Sequence, residues 1–68
     1  MKWTEITSGT EIESIEGLSI RTYACLKRNR VDFVEQVRAM SFQDVTSLRN
    51  IGRKSVEELE SRLGVEFV

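Results

Sequence analysis

Histidine and proline are absent from this 68-residue chain, and cysteine occurs once, at Cys25. A single cysteine excludes an intrachain disulfide. One cysteine without histidine also excludes a tetrahedral Cys/His zinc site and a Cys/His or Ser/His nucleophile pair. Because no general acid–base pair stands out either, we expect a protein that is not an enzyme and uses no cofactor, metal or small-molecule substrate.

Long apolar runs are also missing, since none nears the roughly 20 residues that cross a bilayer. The opening residues, MKWTEITSGT, lack the apolar centre of a signal peptide, so we expect a cytoplasmic protein without a membrane partner. Four glycines and no proline leave no visible interdomain linker. A protein of 68 residues is therefore one domain at most, near the size where stability becomes marginal.

Charge is nearly balanced overall, at −1, but it is unevenly distributed. Residues 1–20 and 55–68 each carry −3, whereas residues 21–54 carry +5. Local charge governs the choice of partner more than the total does. The basic middle is compatible with an anionic partner such as nucleic acid, and equally with a solvated surface of mixed sign.

Helix-start signals recur along the sequence. A short oxygen side chain followed three residues later by an acid is typical of a capping box. The predicted caps are Ser19 alone, Asp32 with Glu35, Ser41 with Asp44, and Ser55 with Glu58.

Apolar residues follow each of these caps at helical spacing. They predict an all-α fold, a compact bundle of four to five short helices, preceded by an irregular segment whose apolar residues cover the bundle edge. The predicted helix faces are Ile20, Tyr23, Ala24 and either Leu26 or Lys27; Phe33, Val34, Val37 and Met40; Phe42, Val45 and Leu48; and Val56, Leu59 and Leu63, with Gly64 ending the last helix.

The stretch LRNIGRKSVEEL, residues 48–59, places a glycine and two cations at a predicted helix start. Unpaired amides and the positive end of the helix dipole attract anions there. Gly52 lets a phosphate approach the backbone and permits positive φ, while Arg53 and Lys54 add charge and Ser55 adds a hydroxyl. The pattern predicts a clamp for backbone phosphates that does not read bases. A turn glycine beside surface cations remains the alternative.

A nucleotide-binding loop of the G-x-x-x-x-G-K-[ST] type does not fit the same stretch. That pattern requires glycine directly before lysine, but Arg53 intervenes. It also requires a second glycine upstream, where this sequence has Ser47.

Most of the sequence, from about Ile12 to Gly64, resembles the C-terminal domain of the bacterial RNA polymerase alpha subunit. The markers are SIRTYACLKR and LRNIGRKSVEELE, in that order and at that family's separation. The resemblance implies four helices and a nonstandard turn, closed by a helix-hairpin-helix-like element at 42–63. It divides the sequence into an irregular segment, 1–11, and a helical domain, 12–68.

The resemblance also implies a function, binding the minor groove of A·T-rich DNA upstream of promoters. The implied protein partners are RNA polymerase, the sigma factor and transcription regulators, and the implied location is with the nucleoid. Arg21 matches the arginine that enters the groove, and Glu58 matches an acid that orients it. Cys25 matches the family's cysteine, one helical turn beyond the arginine, and Asn50, Gly52, Lys54 and Ser55 match the hairpin residues that meet backbone phosphate. Arg53 completes the predicted site through its charge at the helix start.

Two positions depart from the family's pattern. Ala24 stands where the family usually has an asparagine, and the loss of one hydrogen bond weakens DNA binding up to roughly tenfold. Gly17, in IESIEGL, is an apparent insertion that alters the acidic patch implied to face sigma. Ala24 and the low pI of 5.4 favour an alternative, a protein-interaction domain without significant DNA binding. The alpha subunit's assembly domain has no counterpart here, which is expected of an isolated domain or a free-standing relative.

Overall fold

Four α-helices and two single 3₁₀ turns make up the computed structural model, which describes residues 2–68. Within those residues no strand forms, and one isolated antiparallel bridge joins Glu11 to Phe33. The globule measures 26 × 24 × 22 Å, and the predicted all-α bundle is confirmed. The helices are α1 (Ile20–Arg28), α2 (Val34–Arg38), α3 (Phe42–Thr46) and α4 (Arg53–Leu63), and the 3₁₀ turns are Trp3–Glu5 and Ile12–Ser14.

The core draws side chains from every helix and from the connections between them. Trp3, Ile15 and Leu18 pack against its edge, as predicted for the N-terminal segment, whereas Ile12 is fully enclosed. The core consists of Ile12, Leu26, Val31, Val37, Met40, Val45, Leu48, Val56, Leu59 and Phe67.

Two apolar residues that the sequence predicts on buried helix faces lie in solvent instead. Ile20 is 85% exposed and Phe42 is 53% exposed, so both predictions are wrong. Helix α1 buries Thr22, Cys25 and Leu26. Two residues correspond to about 200° around a helix, so a helix that buries Thr22 turns Ile20 outward.

The caps at Ser19 and Ser41 are confirmed. Ser19 Oγ accepts from the Thr22 amide at 3.2 Å and begins α1. Ser41 Oγ accepts from the Asp44 amide at 3.1 Å, and the Asp44 carboxylate accepts from the Ser41 amide at 3.0 Å. This reciprocal pair is the predicted capping box of α3.

The cap predicted at Asp32 is wrong, because α2 begins one residue later than expected, at Val34. Gln36 Oε1 accepts from the Asp32 and Phe33 amides at 2.6 and 2.8 Å, and so satisfies them without the aspartate side chain. The Asp32 carboxylate instead accepts from Lys27 Nζ at 2.7 Å.

The cap predicted at Ser55 is also wrong, because α4 begins at Arg53 with Gly52 as its N-cap. Ser55 is the third residue of the helix and is buried. At the other end, Gly64 closes α4 with φ of 63°, as predicted.

Gly17 has a structural reason of its own. Its φ is 76°, and a Cβ built there would lie 2.7 Å from Cζ of Arg62 on α4. The positive φ favours glycine at this position, and any side chain there would also displace the end of the Arg62 side chain.

Candidate nucleic-acid interface

The first turn of α1 is fastened to α4 by hydroxyl groups around one carboxylate. Glu58 Oε2 accepts from the Ser19 amide at 2.6 Å. Glu58 Oε1 accepts from the Ser19 hydroxyl at 2.9 Å and from the Thr22 hydroxyl at 2.6 Å. Thr22 Oγ1 also lies 2.9 Å from Ser55 Oγ. Thr22 and Ser55 are 1% and 6% exposed, so their hydroxyls are shielded from water, whereas Ser19 lies at the exposed edge of the network. The network holds the two helix starts together.

Glu58 contacts the start of α1, the helix that carries Arg21, and forms no ion pair with the arginine. Within residues 2–68 every ion pair involves Lys27, so none joins Glu58 to the arginine. Burial raises the pKa of Glu58, but hydrogen bonds from Thr22 and Ser19 outweigh it and leave the pKa below the ordinary value of 4.5. The carboxylate is therefore charged at neutral pH and can accept all three hydrogen bonds.

A second fastening holds the connection before α4 against the end of α1. Asn29 Oδ1 accepts from the Arg49 amide at 2.9 Å, and Asn29 Nδ2 donates to the Arg49 carbonyl at 3.0 Å. The Cys25 thiol donates to the same carbonyl at 3.4 Å. Cys25 is 7% exposed, and burial raises the pKa of its thiol, which keeps it protonated as a donor.

The start of α4 leaves backbone donors open. The amides of Gly52, Arg53 and Lys54 have no acceptor within residues 2–68. Among the described residues, no capping side chain accepts a hydrogen bond from them either. Gly52 has a φ of −104° and does not adopt the positive φ that glycine permits. The residue of this connection with a positive φ is Asn50, at 63°. A Cβ at Gly52 would meet nothing within 4 Å, so the fold itself does not require glycine there.

Arg21 and Lys54 line one surface depression. Both side chains are exposed, and neither forms an ion pair with any part of residues 2–68. The depression is lined by Ser19, Arg21, Thr22, Lys54, Ser55 and Glu58. The exposed cations Arg21 and Lys54 thus lie at the rim of a depression whose base is the hydroxyl network of Thr22, Ser55 and Glu58.

Gly52 and Arg53 line a different depression, on the α3 side of α4. Adjacent helical residues point about 100° apart, so Lys54 turns toward α1 while Arg53 turns toward α3. This second depression is lined by Phe42, Thr46, Ile51, Gly52, Arg53, Val56, Glu57 and Glu60.

The structure therefore divides the predicted site residues into three groups. Arg21, Lys54, Ser55 and Glu58 are brought together, but Ser55 lies in the floor and its hydroxyl already has a partner. Gly52 and Arg53, which carry two of the three open amides, line the depression on the α3 side. Asn50 is exposed in the connection, and Cys25 lies beneath it.

Sequence reasoning missed Thr22 and Asn29, the residues that make the two fastenings. Thr22 follows the Ser19 cap by three residues, a spacing that could have marked it as a partner of the cap. Nothing local marks Asn29, whose partner Arg49 is 20 residues away.

The family of the C-terminal domain of the bacterial RNA polymerase alpha subunit has a model that matches residues 4–64. This protein belongs to that family. It is 43% identical over 58 residues, 85% of its length, to the DNA-directed RNA polymerase subunit alpha of Rubrobacter xylanophilus. It is 46% identical over 52 residues, 76% of its length, to the subunit of Desulfitobacterium hafniense, and 44% identical over the same length to that of Clostridium acetobutylicum.

The aligned region is a small part of each of those subunits, 18% of the first and 16% of the other two. As a member of this family, the domain is classed with the DNA-binding modules of transcription. Within residues 2–68 no helix is long and apolar enough to span a membrane, and no cluster of three or more Cys, Asp or Glu side chains could hold a metal ion.

Acid should destabilise the domain, because carboxylates that fasten its parts have lowered pKa values. The Thr10 amide and hydroxyl hold the pKa of Glu35 below the ordinary 4.5, and the pKa of Glu58 is lowered as well. A lowered pKa in the folded state contributes stability above the unfolded value, and that stability is lost as pH falls through the folded value. We expect the melting temperature to fall as the pH drops from neutral through the ordinary glutamate pKa, and to fall less for Glu58→Gln. If the melting temperatures of the unaltered protein and of Glu58→Gln fell equally, the hydrogen bonds to the Glu58 carboxylate would not contribute to stability.

Proposed function

We propose that this domain binds the minor groove of A·T-rich DNA upstream of promoters. RNA polymerase, the sigma factor or transcription regulators would contact its other surfaces, in the cytoplasm and with the nucleoid. The observation that carries the proposal is the placement of Arg21 and Lys54 over one depression, beside the open amides of α4.

Arg21 supplies the groove contact in this proposal. Its guanidinium is exposed, free of ion pairs within residues 2–68, and carried by the second residue of α1. A-tracts have a narrow minor groove with enhanced negative potential, which favours an inserted arginine. A preference for A·T-rich DNA then arises from groove shape, without hydrogen bonds to particular bases.

The start of α4 supplies the phosphate contacts. Open amides at a helix N-terminus bind anions, and Lys54 adds a charge beside them. Gly52 lets a phosphate reach those amides, which gives a reason for glycine at a position where the fold has room for a side chain. Such contacts fix the register of a protein on the duplex but carry no sequence information.

The alternative is a protein-interaction domain without significant DNA binding. Ala24 in place of the family's asparagine and the pI of 5.4 favour it. So does Phe42, which is 53% exposed beside the second depression and offers an apolar contact to a protein.

Salt dependence tests the proposal. If about three or four phosphates are neutralised, log K for an A·T-rich duplex should fall with log salt at a slope of about −3 to −4. A G·C-rich duplex of equal length should bind more weakly at each salt concentration. No binding at millimolar duplex in low salt would favour the protein-interaction alternative.

Gly52→Ser should separate stability from DNA binding. Serine is a better N-cap than glycine, so the free energy of unfolding should stay equal or rise by about a few tenths of a kcal/mol. The added side chain would occupy the approach to the amides and accept a hydrogen bond from one of them. We therefore expect weaker DNA binding, by about 3- to 10-fold, the factor that one lost hydrogen bond gives, measured by fluorescence anisotropy next to urea unfolding. Unchanged affinity would contradict the phosphate contact.

A further inference from the structure

Each proposed DNA-contacting cation is followed in the sequence by a buried hydroxyl. Thr22 follows Arg21, and Ser55 follows Lys54. The two hydroxyl oxygens lie 2.9 Å apart although their residues are 33 positions apart, and Thr22 is 1% exposed. The Thr22 hydroxyl also donates to Glu58 at 2.6 Å, so it contacts two side chains of α4 from within the first turn of α1.

We propose that Thr22 is a positioning residue for DNA binding, whose hydroxyl sets the separation between Arg21 and Lys54. The proposal rests on the DNA-binding function proposed above. A buried hydroxyl is unfavourable unless it is hydrogen-bonded, and valine would fill the same space without that requirement. A hydroxyl at this position therefore stabilises one particular arrangement of α1 against α4 rather than adding apolar packing.

The separation matters because the two cations must engage one duplex at the same time. Two contacts on a rigid body reinforce each other only when their spacing matches the spacing of the groove and the phosphate. A small change in the position of α1 against α4 would leave each cation present but unable to act with the other. Thr22 itself would touch no DNA.

Thr22→Val and Thr22→Ser form a matched pair. Valine keeps the shape and removes the hydroxyl, whereas serine keeps the hydroxyl and removes the methyl group. We expect both to lower the melting temperature by about 4–8 °C, a shift typical of one modest substitution in a domain of this size. Affinity for an A·T-rich duplex should fall about 5- to 20-fold for valine, with a salt slope smaller by about 1, and should change less than about twofold for serine. Equal affinities of the two variants would overturn the proposal.

A double variant tests whether Thr22 acts through Lys54. In a Lys54→Ala background the loss caused by Thr22→Val should shrink to less than about twofold, because the contact that it positions is already gone. Full additivity would overturn the proposal. Should Thr22→Val fail to fold, Ser55→Ala removes the hydroxyl pair from the other side, with an expected loss of about 3- to 10-fold and the same dependence on Lys54.

Failure of this proposal is distinguishable from failure of the proposed function. If the unaltered protein binds the duplex, loses binding with Arg21→Ala and keeps it with Thr22→Val, only the positioning role is wrong. If the unaltered protein does not bind the duplex at all, both are wrong.

Discussion

Arg21→Ala is expected to weaken binding of an A·T-rich duplex by about 30- to 150-fold, or about 2–3 kcal/mol. The side chain is exposed and forms no ion pair within residues 2–68, so its removal should leave the melting temperature unchanged. The preference for A·T-rich over G·C-rich DNA should disappear as well, because in the proposed complex the inserted guanidinium senses the width of the groove. Anisotropy titrations with both duplexes measure the two effects together.

Arg38→Ala is the matched control. Arg38 is also exposed and lies in the last turn of α2, outside the depression that Arg21 and Lys54 share. Both substitutions remove one positive charge, so a general electrostatic effect would weaken binding equally. We expect a change of less than about twofold for the control, as for a charge that meets no phosphate. Equal losses would mean that net charge, and not a groove contact, controls affinity.

Leu59→Ala should have the largest effect on stability, about 2–5 kcal/mol. Leu59 is 0% exposed and carries α4 into the core next to Glu58, which fastens α1. A domain of this size rarely has more than about 3–5 kcal/mol of net stability, so much of the population would be unfolded at physiological temperature. The apparent DNA affinity should fall in proportion to the folded fraction that remains. Urea unfolding followed by circular dichroism gives the stability directly.

Leu63→Ala, one helical turn further along α4, is the control for that substitution. Leu63 is only partly buried against the core, so its truncation should cost about 1 kcal/mol. Equal destabilisation by the two substitutions would contradict the observed packing of α4.

The helices follow from local chemistry wherever nothing distant competes. The caps at Ser19 and Ser41 were predictable because the amides that they accept from lie three residues away. The cap at Asp32 was not, because Gln36 satisfies the amides and Lys27 takes the carboxylate. When a side chain has both a local and a tertiary hydrogen-bond partner available, the sequence alone does not show which one it binds.

The geometry of the candidate site was predictable in part for the same reason. The local pattern around Gly52 indicated a helix start there, although the capping residue predicted for α4, Ser55, was wrong. Arg21 was singled out only by family resemblance. The placement of Arg53 and Lys54 on different sides depends on the rotation of α4 about its axis, which is set by the face that it buries, Val56 and Leu59. The link between Thr22 and Ser55 spans 33 positions, and no local pattern predicts it.

The most direct test of the DNA interface is a ¹⁵N NMR titration of the 68-residue protein at low salt, with an A·T-rich and a G·C-rich duplex. Because Arg21 and Lys54 share one depression, the largest amide shifts should fall at residues 19–22 and 50–55, and should be greater with the A·T-rich duplex. Shifts centred instead on Phe42, Thr46 and Glu60, or no shifts at millimolar duplex, would contradict the proposed interface.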